Sequence, residues 1–199
     1  MSTTDVSATK QRLSAGERRQ VVLDTASRVF SQSSYRGATT AEIARESGIS
    51  EPILYRHFGS KRDLYLACLE EAWRSLRELS EQAIADSPDT CLGAIADAWM
   101  AKRANIRLVD LWIRALNECD DPVVAEVLRT QVRDVHAFFA DVIRDGQARG
   151  VVHADRDPVA EAWVFVAGGL LGTIDHRLGG FLGDDLERVR ASRRTWMRA

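Results

Sequence analysis

Few residues of this 199-residue chain are placed to do covalent or metal chemistry. His57, His136, His153 and His176 are far apart, and neither His-x-x-x-His nor Cys-x-x-Cys spacing occurs, so no metal is expected. A Gly-x-Ser-x-Gly elbow and a Walker loop are both missing, so neither a catalytic residue nor a cofactor is expected. Cys68, Cys91 and Cys119 are odd in number and widely spaced, which argues against a disulfide scaffold and suits a reducing cytoplasm. Isolated cysteines in helices are usually small buried hydrophobes; oxidant sensing by Cys91 and Cys119 is the less favoured alternative. What remains is ionic. Residues 1–62 carry ten Lys or Arg against six Asp or Glu, a net +4, whereas the remainder carries 17 against 23. A basic end on an acidic body is the asymmetry of a chain whose first part meets phosphates.

The elements that position those charges centre on residues 39–58. Thr39 with Glu42 fits a capping box, Ile43 and Ala44 form an apolar face, and Gly48 sits where a chain leaving a helix needs the left-handed conformation. Ser50 can cap a second short helix, with Pro52 tolerated in its first turn. Two short helices joined by a glycine turn form a helix-turn-helix, whose second helix enters the DNA major groove. Leu54 and Phe58, four residues apart, are expected to pack inward.

Around this unit the periodicity is helical throughout. Residues 1–13 are polar and aperiodic, either a tail or a basic arm in which Lys10 and Arg12 reach DNA. Ser14-x-x-Glu17 opens a helix with Val22, Ala26, Val29 and Phe30 on one face. Gly59 can end the recognition helix, and Ser60 with Asp63 starts a helix running to about Asp86. Beyond Ser87-Pro88, apolar stripes predict helices to about 104 and over about 106–116. Asp121-Pro122 and Asp157-Pro158 open two more, closed by Gly150 and Gly179-Gly180, and a basic helix covers about 184–197. The expected fold is all-α with about nine helices. No apolar run approaches a membrane span and no signal-peptide pattern opens the chain, so a cytoplasmic protein without a membrane partner is expected.

Residues 16–70 resemble the tetracycline-repressor (TetR) family of bacterial regulators. Phe30, Tyr35, Thr39, Ile43-Ala44, Gly48-Ile49-Ser50, Leu54-Tyr55-Arg56-His57-Phe58 and Ser60-Lys61-x-x-Leu64 carry the resemblance. It implies an arm over 1–13, a DNA-binding domain over 14–62, and a ligand-binding and dimerisation domain over 63–199. It also implies that Thr39 and Thr40 face the DNA backbone, that Tyr55 and His57 meet phosphates with Lys61 adding a cation, that Arg56 is a further DNA-binding residue, and that Ser50, Glu51, Pro52 and Ile53 face base edges. Ordinary packing is the alternative for Tyr55 and His57. Ser34 stands where the family often has glycine, Ala41 offers no base-reading donor, and Glu51 puts an acid at the tip. Glu51 either accepts from a cytosine amino group or favours the helix N-terminus as an anion.

In the C-terminal half, Trp99, Met100, Arg103, Trp112, His136, Phe139 and Trp163 are candidates to surround an effector, although aromatic residues at helical spacing are usually core. Arg103 would hold an anionic end of such a ligand or be a surface charge. Gly168, Gly169 and Gly172 each cost about 1 kcal/mol relative to alanine in a helix. Close approach of another helix would offset that, so Gly168, Leu171 and Gly172 are expected at the dimer interface the resemblance implies, with a kink lining a pocket as the alternative. Together these features predict a dimeric one-component transcriptional regulator, in the first instance a repressor. It would bind a near-palindromic double-stranded DNA operator and be released by a small apolar or amphipathic effector. The competing reading is a helical enzyme or small-molecule carrier with a vestigial helix-turn-helix.

Overall fold

The protein, seen as a computed structural model, is described over residues 14–101 and 103–197, without the side chains at 91, 100, 103–107, 196 and 197. The arm candidates Lys10 and Arg12 and the side chains of Cys91, Met100 and Arg103 therefore lie outside the described residues. Nine α-helices are seen among the described residues: α1 Ala15–Gln32, α2 Thr40–Glu46, α3 Glu51–His57, α4 Lys61–Asp86, α5 Cys91–Met100, α6 Arg103–Ala115, α7 Pro122–Ala148, α8 Pro158–Arg177 and α9 Asp184–Met197. Short 3-10 turns cover Pro88–Thr90 and Leu116–Glu118. The all-α fold is as expected.

Local chemistry explains most boundaries. Ser14 and Glu17 form both halves of a capping box, and Thr39 and Ser60 accept from the amides of Glu42 and Asp63. Asp121 and Asp157 accept from the amides of Val123 and Val159 ahead of Pro122 and Pro158. Gly48, Gly150, Gly179 and Gly180 take positive φ at helix ends, as expected of a left-handed cap.

Three local expectations change. Ser50 makes no side-chain cap bond, so α3 starts on the φ its proline fixes. Gly59 does not end α3; extended Phe58 does, at φ −138° and ψ 120°. Ser34, where glycine was the commoner choice, carries no strain: among the described residues no non-glycine has positive φ, and the Ser34 hydroxyl accepts from the Gly37 amide at 3.0 Å.

Two apolar clusters hold the helices together. The first joins Val22, Leu23, Val29 and Phe30 of α1 with Ile43 and Ala44 of α2, Leu54 of α3, Phe58, and Leu64, Tyr65, Cys68 and Leu69 of α4. Leu111 and Ala115 of α6 and Val124 and Leu128 of α7 belong to this same cluster. The second joins Ile95 of α5, Phe139, Ala140, Val142 and Ile143 of α7, Val152, and Ala162 of α8. Helices α4 and α7 run from one cluster to the other, because residues near both ends of each helix pack into different cores.

Candidate nucleic-acid interface and adjoining cavity

The helix-turn-helix is α2, Gly48 and α3. Gly48 at φ +68° lets the chain reverse, with its amide on the Arg45 carbonyl at 3.1 Å and the Ile49 amide on the Ala44 carbonyl at 3.0 Å. Leu54 is fully buried and Phe58 nearly so, which fixes one side of α3 against the first core and leaves the other side outward. Outward are Ser50, Pro52, Tyr55 and Arg56; Glu51, Ile53 and His57 are half-buried.

Thr40 is a hub rather than an open hydroxyl. It is only 8 % exposed, donates to Glu51 Oε1 at 2.5 Å and lies 3.0 Å from the Tyr55 hydroxyl. One side chain on α2 thus ties the first and second turns of α3. The expectation that the Thr40 hydroxyl itself lies open to the DNA backbone does not fit this geometry, since its one proton, which a phosphate oxygen would need, is given to Glu51. Glu51 is correspondingly bonded to Thr40, a role the sequence did not disclose. Thr39 is exposed, and its hydroxyl caps the Glu42 amide at 3.1 Å.

The flanks of the unit are held by charge. Arg28 of α1 pairs with Glu46 of α2, and its hydrogen bond holds the Glu46 carboxyl below the usual range. The Arg19 guanidinium lies 5.0 Å from the Phe58 ring centre, and the Lys61 ammonium 4.7 Å from that of Tyr35. Partial burial pulls the Lys61 pKa down, with Glu118 opposing. Tyr35 itself packs on Tyr65, ring centres 4.8 Å apart, and Tyr65 on Phe30 at 4.9 Å edge to face. Burial raises the Tyr65 pKa strongly.

Two ion pairs reach from this unit to the body: Arg36 to Glu118 at 3.7 Å and Arg62 to Asp121 at 3.3 Å. The Asp121 carboxyl is held below its ordinary 3.8, first by the Val123 amide and then by Arg62. A depressed carboxyl stabilises above its unfolded pKa and loses that contribution as pH falls through the folded value, so this tie is intact at neutral pH.

A cavity of about 480 Å3 separates the two cores. Its wall includes Ala72, Leu108 and Trp112 from the first cluster's surroundings and Trp99, Phe139 and Phe165 from the second's. Trp99, Trp112 and Phe139 are therefore where the sequence led one to look. His136 and Trp163 are not: they stack on each other with ring centres 4.2 Å apart, away from the cavity, with Trp163 exposed. His136 is held there by a 2.9 Å bond between its Nε2 and the Val159 carbonyl oxygen. Gly168, Leu171 and Gly172, expected at a subunit interface with a pocket as the alternative, border the cavity. A Cβ at either glycine would meet nothing within 4 Å, so no other helix of the same chain packs closely on them.

Sequence reasoning missed two things here. One is Gln131, a buried polar residue on α7 that also borders the cavity. The other is an apolar row on α8: Trp163, Ile174 and Leu178 are exposed and fall on one face, with Phe181 just beyond the helix. Eleven- and four-residue spacings in an apolar helix were the available signal.

Comparison with known proteins agrees with this geometry. Residues 22–68 match the family model described as bacterial regulatory proteins, tetR family. The transcriptional activator FasR of Mycolicibacterium smegmatis is 42% identical over 78 residues, 39% of this chain but only 36% of that protein's length. The transcriptional repressor AcnR of Corynebacterium jeikeium is 27% identical over 188 residues, covering 90% of this chain and 93% of its own. Among solved structures, a TetR-family transcriptional regulator from Cytophaga hutchinsonii has a TM-score of 0.80 at 14% identity, covering 95% of this chain and 99% of its own. A transcriptional regulator from Saccharomonospora viridis, solved in complex with choline, has a TM-score of 0.67 at 22% identity, covering 82% and 87%. Residues 22–68 thus match the DNA-binding domain of the tetR family of bacterial regulatory proteins, and the helical fold as a whole is similar to that of TetR-family transcriptional regulators.

Proposed function

We propose that the chain is a dimeric repressor that binds a near-palindromic operator and releases it when a small effector enters the cavity between its two cores. The observation that carries this reading is the outward face of α3: Leu54 and Phe58 anchor it while Tyr55 and Arg56 stand exposed. Thr39, Tyr55, Arg56, His57 and Lys61 would position the protein on phosphates, with Thr40 holding Tyr55 in place. Ser50, Pro52 and Ile53 would meet base edges, with Glu51 bonded to Thr40 behind them. Two such helices in a dimer would reach successive major grooves about 34–36 Å apart. Repression is favoured over activation because the relative named as a repressor aligns over nearly its whole length.

Dimerisation is supported by the exposed apolar row Trp163, Ile174, Leu178 and Phe181, a patch a monomer would leave in water. An effector is supported by the size of the cavity, which lies within the range of about 300–1,000 Å3 that holds small ligands. One solved neighbour of this fold carries choline. An effector acts only through its different affinity for the DNA-binding and released states. DNA selection from the genome, followed by anisotropy titrations over a salt series, tests the reading. Sequence-selective, salt-dependent binding is expected, and non-specific binding alone would sink it. Arg56→Ala should weaken binding to every sequence alike and reduce the log–log salt slope by about 1, leaving base preference unchanged.

A further inference from the structure

Most buried polar groups in folded proteins are hydrogen-bonded, so a buried amide bonded to nothing calls for an explanation. Gln131 is 5 % exposed, and neither its amide nitrogen nor its amide oxygen has a partner. The indole N–H of Trp112 is likewise covered and unpartnered. Both residues border the same cavity. Trp99, also on its wall, makes the contrast plain: its indole N–H donates to Ser80 Oγ at 2.8 Å, and Ser80 passes the bond on to the Leu76 carbonyl at 2.7 Å. Of these three wall residues, Trp99 is thus satisfied from α4, while Trp112 of α6 and Gln131 of α7 are left open.

The open set has a definite chemistry. Trp112 can only donate, whereas Gln131 can both donate and accept. A group that complements them carries a carbonyl oxygen to accept and an N–H or O–H to donate. Turning the Gln131 amide toward such a group breaks no bond within the protein, because it has none to break. An anionic head is disfavoured. The three arginines along the α9 edge already face carboxylates: Arg190 with Glu187 at 3.9 Å, Arg193 with Glu161 at 2.7 Å and Arg194 with Glu187 at 2.5 Å. Asp97, Thr173 and His176 also border the cavity, but most of its wall is aromatic and aliphatic, so the ligand's body is apolar.

We infer that the effector is an amphiphile with an apolar body and an amide-like head, and that Gln131 and Trp112 are the residues that read the head. This rests on the reading of the cavity as an effector site. If it holds, ligand binding completes the hydrogen bonds of α6 and α7 at the level where the first core meets the cavity, since Trp112 packs against that core.

Isothermal titration of the full chain with three probes of one apolar body tests it: naphthalene-2-carboxamide, naphthalene-2-carboxylate and 2-methylnaphthalene. The carboxamide should bind at least about tenfold more tightly than the methyl compound, as one charge-free hydrogen-bonded head requires, and more tightly than the carboxylate. Gln131→Leu should erase that preference while leaving methylnaphthalene binding unchanged, and Trp112→Phe should reduce it with the ring retained. The ligand-free Gln131→Leu protein should melt about 2–4 °C higher, because an unbonded buried amide has been replaced by an apolar group of similar size. Equal binding of carboxamide and methyl compound would overturn the assignment of the head while leaving the cavity an effector site. Failure of all three probes to bind would overturn both. A lower melting point for Gln131→Leu, with the carboxamide preference intact, would make Gln131 a packing residue and overturn its role.

Discussion

Thr40 shows how one hydroxyl can serve DNA binding without touching DNA. It holds the Glu51 carboxylate and meets the Tyr55 hydroxyl, so it fixes both the tip of α3 and the phenol one turn further on. An acid facing phosphate is unfavourable, and its bond to Thr40 keeps Glu51 turned back toward α2 rather than out toward a base edge. We expect Glu51→Gln, which keeps an acceptor for Thr40, to raise affinity for all sequences and leave base preference unchanged. A shift in preference at a single operator position, measured by binding selection on a randomised half-site, would show instead that Glu51 reads a base. The types of these residues were legible in the sequence, but their partnership was not. Thr40, Glu51 and Tyr55 are 11 and 15 residues apart across a turn, and no periodicity predicts which oxygen meets which.

At the scale of elements, the sequence located nearly every helix, because caps and proline starts are local chemistry: Ser14, Thr39, Ser60, Asp121 and Asp157 each mark a start within a few residues. It placed the ligand and interface candidates less well. Trp163 and Gly168 lie on one helix and differ by only five positions, yet the structure puts the first outside and the second on the cavity wall. Which side of an all-apolar helix faces inward is decided by tertiary packing, which helical spacing alone does not encode. The same limit hid the part played by α6. Helix α4 follows α3 closely in the chain and runs between the cores. Yet α6 supplies Leu108 and Trp112 to the cavity wall and Leu111 and Ala115 to the core around α1, so it connects the cavity and the helix-turn-helix over a single helix turn. Leu111→Ala, at a fully buried site, should cost about 2–5 kcal/mol in denaturant unfolding. Because the three tyrosines lie at 35, 55 and 65 and the five tryptophans from 73 onward, the two chromophores report on opposite ends. Their transitions should stay coincident in the variant if the core is one unit.

For the molecule as a whole, the exposed row on α8 is the feature most in need of a partner. Ile174 is 48 % exposed and Leu178 64 %. Ile174→Arg should give a monomer by sedimentation at micromolar concentration and a large loss of operator affinity, with helical content preserved. A wild-type chain that is itself monomeric under those conditions would remove the dimer from the proposal. The shared first core has a further consequence, for modularity. Leu111, Ala115, Val124 and Leu128 complete the interior of the DNA-reading unit from a point far along the chain. A splice after residue 62 that grafts this reading head onto a foreign body would therefore strip it of the side chains that fill its interior. A workable chimera has to carry the first half of α4, α6 and the first turns of α7 with it, so the inheritable unit of specificity is a three-dimensional block and not the contiguous first third of the gene product.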